Sequence, residues 1–186
     1  MDPESIEAQM TRYQQGDFAA ATALVHALSP RLHRYFLVQV VSRRDADDLL
    51  QETWLRLHQV RHTYRAGEPV LPWMYAIARH VRVDHYRRAR RAMRSEQSLN
   101  HALEIPHRAD PPARAPDMEA LLAALPESQR EVVAMLKVAD MSLEEVARAT
   151  SSSVGSVKLK AHRAYARLRE IFGQAGLGTA RGRENR

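Results

Sequence analysis

The chain has 186 residues, 45% of them apolar and 27% charged, with a formal net charge of +6 and no cysteine. The lack of cysteine excludes disulfides and thiolate zinc sites, and the positive balance favours a polyanionic partner without choosing between nucleic acid and an anionic membrane. No apolar run reaches the length of a bilayer span, and the acidic, polar start MDPESIEAQ does not read as a leader, so a soluble, cytoplasmic protein is expected.

A first helical block begins near Ile6. Leu24, Leu28, Leu32, Tyr35 and Phe36 recur at helical intervals around Pro30, which should start a new helix or kink this one. Arg44, Asp45, Ala46, Asp47 and Asp48 then open another helix, with acids clustered where they favour its dipole. Leu49, Leu50, Thr53, Trp54 and Leu57 give that helix apolar content on more than one side. Pro72 suits the first turn of a long helix from about residue 71 to 94, whose inner stripe is expected at Trp73, Ile77, Val81 and Asp84.

The end of that helix is strongly basic. Arg79, Arg82, Arg87, Arg88, Arg90, Arg91 and Arg94 meet one carboxylate, Asp84, and Trp73, Tyr75 and Tyr86 are interleaved with them. Cations bind phosphates with a salt-sensitive affinity, and exposed aromatic rings stack on unpaired bases. His80, Asp84 and His85 have helical spacing compatible with a metal site, but no further ligand lies near in sequence, so none is expected.

Residues 95–117 hold Pro106, Pro111, Pro112 and Pro116 and few apolar residues. They read as a flexible linker whose length spaces two domains rather than packing them tightly. Beyond it, Ser142 and Glu145 form a capping box at the start of a helix continued by Val146 and Ala149. Thr150, Ser151 and Ser152 break the pattern, and Ser153 caps a second helix with Val157, Ala161, Ala164 and Leu168 on one face. Lys158, Lys160, His162, Arg163, Arg167 and Arg169 lie largely off that face. Two short helices at a sharp angle, the second basic, suit entry into a major groove. The fold class expected is all-α: two small helical domains joined by a Pro-rich linker, with a helix-turn-helix in the second.

The order of these segments resembles the extracytoplasmic-function (ECF) sigma factors of the sigma-70 family. DADDLLQETWLRL (residues 45–57) resembles the helix that grips a coiled coil of the RNA polymerase largest subunit. PWMYAIARHVRVDHYRRARR (residues 72–91) resembles the helix for the −10 promoter element. Residues 122–169 resemble the helix-turn-helix domain for the −35 element. The resemblance divides the chain into a region 2-like domain at 1–94, the linker at 95–117, a region 4-like domain at 118–173 and a disordered tail at 174–186.

The resemblance implies roles for matching positions. Asp47, Asp48, Gln51, Glu52 and Leu55 would dock on core RNA polymerase, carboxylates supplying charged hydrogen bonds and Leu55 an apolar contact. Tyr64, Trp73, Arg79, His80, Arg87 and Arg88 would serve the −10 element. The loop at residues 62–70 would form much of a pocket for an extracted base, and Tyr64 would either stack on that base or be buried. His80 stands where many relatives carry Asn. Ser156, Lys158, Leu159, His162 and Arg163 would meet base edges at −35, with Lys160 and Arg167 on phosphate. Asp140 and Ser151 occupy turn positions where glycine is frequent, and serine tolerates a left-handed backbone less well than Asp.

The implied function is a dissociable subunit that recruits core polymerase to specific promoters and promotes melting, with no catalysis and no cofactor. An anti-sigma factor, often membrane-anchored, is the implied inhibitor, and direct membrane insertion is not expected. The competing reading is a helix-turn-helix regulator that never joins polymerase; the acidic helix at residues 45–57 argues against it.

Overall fold

The computed structural model describes residues 5–99 and 118–180, with side chains described for residues 5–91 and 121–172. Among them are eight α-helices and no strand. Most of the linker, residues 100–117, and the end of the tail, residues 181–186, lie outside the described residues.

Four helices make the first block: α1 (Ile6–Gln14), α2 (Phe18–Leu37), α3 (Arg43–Val60) and α4 (Val70–Leu99). The first three start on local caps. The Ser5 hydroxyl accepts from Ala8 N–H, the Asp17 carboxylate from Ala20 N–H, and the Ser42 hydroxyl from Asp45 N–H. Each cap satisfies a backbone donor that the first turn leaves without an intrahelical partner. Leu24, Leu28, Leu32, Tyr35 and Phe36 are buried along α2, and Ala46, Leu49, Thr53 and Leu57 along α3. Pro30 starts no new helix. It sits inside an uninterrupted α2, where the buried row on both sides of it outweighs one missing backbone bond.

The second block holds α5 (Met118–Ala123), α6 (Glu127–Val133), a π-turn (Ala134–Val138), α7 (Leu143–Ala149) and α8 (Val154–Ala180). The reciprocal box at Ser142 and Glu145 is formed, and Ser153 Oγ accepts from Ser156 N–H at 3.1 Å. Val157, Ala161 and Ala164 are buried, and Leu168 packs against that core. Asp140 and Ser151 both take left-handed backbone, at φ 49° and 50°. Helix α4 runs to Leu99 and α8 to Ala180, each past the boundary expected from sequence.

Two expectations need correction. The buried residues of α4 are Val70, Leu71, Pro72, Met74, Tyr75, Ala78, Val81 and Arg82; Trp73 and Ile77 are half-buried and Asp84 is exposed. Helix α4 is covered by α3 on one side and α7 on another, so its inner face is wider and turned from the expected stripe. Nor do the two blocks stand apart. Their buried residues form one continuous cluster, α7 lies against α4, and Arg82 of α4 is sandwiched with Glu127 and Glu131 of α6. The apolar flank of α4 and the charge of Arg82 both need cover, and the second block supplies it.

Candidate polymerase and promoter interfaces

On α3 the residues opposite the buried row form one exposed face. Asp47, Asp48, Gln51 and Leu55 recur at helical intervals there with the half-buried Glu52 beside them, and Leu55 is 59% exposed despite being apolar. Two of the carboxylates are already engaged within the chain. Asp47 Oδ1 lies 2.8 Å from His33 Nε2, and Glu52 takes Arg88 Nη2 on both oxygens at 2.9 and 2.7 Å. Asp48, Gln51 and Leu55 are therefore the residues best placed to meet a partner without first breaking such a pair.

The loop between α3 and α4 is pinned from below by α1. Gln14 Nε2 donates to the carbonyls of Arg61 and Tyr64 at 2.7 and 2.8 Å, and Glu7 Oε1 accepts from Val70 N–H at 3.3 Å. Tyr64 is 4% exposed, with its hydroxyl donating to the Glu68 carbonyl and its ring tilted against Trp73 at 5.5 Å. Burial, then the Glu7 and Glu68 carboxylates, push its phenol up to about 12. Tyr64 offers no open face for stacking; burial, the other option left by the sequence, is what occurs, because α1 holds the loop onto the core.

Of the two rings at the larger cleft, Trp73 is the more exposed. It borders a cleft of about 370 Å³ with Thr63, Arg65 and Glu68, and a second of about 270 Å³ with Glu52, Ile77, His80 and Asp84. Its indole N–H points to Thr63 Oγ1 at 3.3 Å. His80 is exposed at the second cleft, where a base edge could meet its ring nitrogens. Arg87 and Arg88 are exposed farther along α4, and Arg87 lies 3.8 Å from Asp84. Arg79 does not share that exposure, since its guanidinium reaches Glu131 Oε1 at 3.2 Å.

On α8 the packing of Val157, Ala161 and Ala164 turns the polar residues outward. Lys158, Leu159, His162, Arg163 and Arg167 are exposed, and Ser156 and Lys160 half-buried. Ser156, Leu159 and Arg163 form one row, Lys158 and His162 the neighbouring row, and Lys160 with Arg167 a flank seven residues apart. A surface of this kind, mixing hydroxyl, imidazole and guanidinium with an exposed leucine, has the chemistry for base edges and thymine methyls; the flank suits phosphates.

The sequence reading missed three participants. His33 holds Asp47, Arg148 reaches from α7 to within 3.9 Å of Glu68, and Arg82 is buried rather than solvated. For Arg82 a signal existed: with Tyr75 and Ala78 it repeats at three and four residues, which places it on the buried row. For His33 and Arg148 no signal existed, because their partners are remote in sequence.

Among the described residues no helix is long and apolar enough to cross a membrane. Residues 24–92 match the Sigma-70 region 2 family and residues 117–168 the Sigma-70 region 4 family. The class is thereby set: an all-α initiation factor built from the polymerase-binding and helix-turn-helix regions of sigma-70. The ECF RNA polymerase sigma factor SigF of Caulobacter vibrioides is 33% identical over 91% of this chain and 95% of its own. RNA polymerase sigma factor CarQ of Myxococcus xanthus is 32% identical over 92% of this chain and 100% of its own. With relatives of that similarity along nearly its whole length, the chain belongs to the ECF sigma factors of the sigma-70 family. Among solved structures, CnrH in complex with the cytosolic domain of CnrY has a TM-score of 0.70 at 22% identity, covering 90% of this chain and 97% of that one. RpoE in complex with the anti-sigma factor NepR from Bartonella quintana has a TM-score of 0.63 at 21% identity, covering 80% and 94%. Both share the fold.

Proposed function

We propose that this ECF sigma factor binds core RNA polymerase through the exposed face of α3 and directs it to promoters read by α4 and α8. The observation that carries the assignment of surfaces is their segregation: an acidic face with an exposed leucine on α3, and basic, aromatic-bearing faces on α4 and α8. Asp48, with Glu52 and Asp47, presents carboxylates to a cationic partner, while Leu55 supplies an apolar anchor beside them. The −10 element is met by Trp73 and His80 at the clefts and by Arg87 and Arg88 farther along α4, with Tyr64 acting as a buried support for Trp73. Arg79 joins them once Glu131 is withdrawn. Melting follows from trapping unstacked bases, which offsets a few kcal/mol per base. The −35 element is met by Ser156, Lys158, Leu159, His162 and Arg163, with Lys160 and Arg167 on phosphates.

The chain acts in the bacterial cytoplasm, where polymerase and promoter are, and performs no catalysis of its own. An anti-sigma protein holds it inactive. Family membership supports that partner, as does the shared fold with sigma factors solved in complex with such proteins, and a membrane anchor on the inhibitor would link release to an external signal. The test of the polymerase reading is co-elution of the purified chain with core polymerase on a sizing column. A stoichiometric complex is expected; a folded chain that binds promoter DNA and elutes apart from polymerase would leave a plain regulator instead.

A further inference from the structure

Between the two blocks lies an ionic cluster. Arg82 Nη1 meets Glu127 Oε1 and Arg82 Nη2 meets Glu131 Oε1, each at 2.7 Å, and Arg79 adds a contact of 3.2 Å to Glu131. The side chains of Arg82 and Glu131 are 2% and 8% exposed. Nearby, the Tyr35 phenol is held above its ordinary range by burial and then by the Glu131 carboxylate, and that of Tyr75 by burial, with Asp140 adding to it and Arg31 opposing. Arg31 also donates to the Ala139 carbonyl, so α2, α4, α6 and the π-turn meet around buried polar groups.

This cluster is the charged part of a seam that α7 otherwise closes on the apolar flank of α4. Burying an ion pair costs desolvation that its attraction roughly offsets, whereas apolar packing is a net gain. The charged part therefore adds little net stability to the seam, and domains of one chain commonly move relative to one another. The chemistry of the cluster is also specific. A guanidinium binds a carboxylate and a phosphate with the same fork geometry, so Glu127 and Glu131 occupy on Arg82 and Arg79 the place a nucleic-acid phosphate would take. A few turns back along α4, Arg148 of α7 stands at the rim of the cleft lined by Thr63, Glu68 and Trp73.

We propose that the packed arrangement is a closed resting state in which the second domain, latched by Glu127 and Glu131 on Arg82 and Arg79, occupies the flank of α4 that takes single-stranded DNA. This rests on the assignment of α4 to the −10 strand. Opening exchanges the two carboxylates for phosphates, uncovers Arg82 and withdraws Arg148 from the Trp73 cleft. The recognition face of α8 stays exposed in both states, so the latch gates strand capture rather than duplex contact.

The chain has no cysteine, so spin labels can be placed at Gln15→Cys and Lys137→Cys, one in each block, both exposed and neither among the paired residues. Pulsed electron-spin distance measurements on the full chain should give one narrow distance. Glu127→Gln/Glu131→Gln should replace it with a broad, longer distribution, and so should adding a mixed-sequence single-stranded oligonucleotide to the unmutated chain. Fluorescence anisotropy with the same oligonucleotide should show about tenfold tighter binding by Glu127→Gln/Glu131→Gln, as expected if about nine molecules in ten are closed. The control Glu144→Gln/Glu170→Gln makes the same charge change on exposed residues outside the seam. Distances unmoved by both the substitutions and the oligonucleotide, or a gain in affinity no larger than the control's, would overturn the latch. Failure to co-elute with polymerase would instead reject the sigma assignment and leave these distances unaffected.

Discussion

Replacing Asp48 by arginine reverses the charge at the centre of the exposed α3 face and leaves the buried Ala46, Leu49, Thr53 and Leu57 row untouched. Asp48→Arg is therefore expected to abolish co-elution with core polymerase while circular dichroism and DNA affinity stay as they are. Arg163→Ala should do the reverse, weakening −35 recognition by about 1–3 kcal/mol in a promoter binding assay with polymerase affinity retained. If both variants lost both activities together, the division of labour between α3 and α8 would be wrong. Asp17 makes a separate prediction. Its cap bond from Ala20, and next its pairing with Arg12, hold its carboxyl below the usual range. A folded-state value below the unfolded one means the stabilisation is present above the ordinary Asp range and drains away as pH falls through and below it. Asp17→Asn should accordingly flatten the acid limb of the stability curve, measured by urea unfolding at successive pH values; an unchanged limb would contradict the cap.

At the scale of elements, the helix-turn-helix was the most legible part of the chain because its signals are local. Ser142 with Glu145 and Ser153 are read from neighbours three residues away, and the structure forms both caps. Ser142→Ala should cost about 1 kcal/mol of stability, seen as a lower midpoint in thermal unfolding. The turn residues were legible as well: Ser151 stands at a glycine-preferring position and takes φ 50°. Ser151→Gly should relieve about 1 kcal/mol of left-handed strain and raise the melting temperature; a fall would mean the hydroxyl matters more than the backbone. The long helices were read less well. Pro30 pointed to a new helix or a kink, and no new helix starts there because the buried row carries α2 through it; the stripe on α4 was misplaced toward Asp84 because its period was fitted to a single apolar face. A helix covered from two directions carries two overlapping stripes, and periodicity alone cannot separate them. The exposed face of α3 and the basic rows of α8 follow directly from helical spacing; the pairing of Glu52 with Arg88 does not, since it joins two helices.

At the scale of the molecule, the linker's length and proline content pointed to two domains spaced apart, whereas α7 lies against α4 and Arg82 pairs with Glu127 and Glu131 across the two blocks. Helical spacing places Arg82 on the buried row of α4, but the contact itself is not legible, because its partners Glu127 and Glu131 lie 45 and 49 residues away. The basic surfaces also predict how the whole chain responds to salt: with Lys160 proposed to meet a phosphate, Lys160→Ala should weaken DNA binding across sequences alike and reduce the slope of log affinity against log salt by about one. If the chain carries polymerase to chosen start points, initiation there depends on its presence. In vitro transcription with purified core polymerase on a genomic fragment library, followed by mapping of transcript ends, tests this most directly. Discrete start sites that require the added chain and vanish with Asp48→Arg are expected; a transcript pattern identical to that of core polymerase alone, from folded and uninhibited protein, would contradict it.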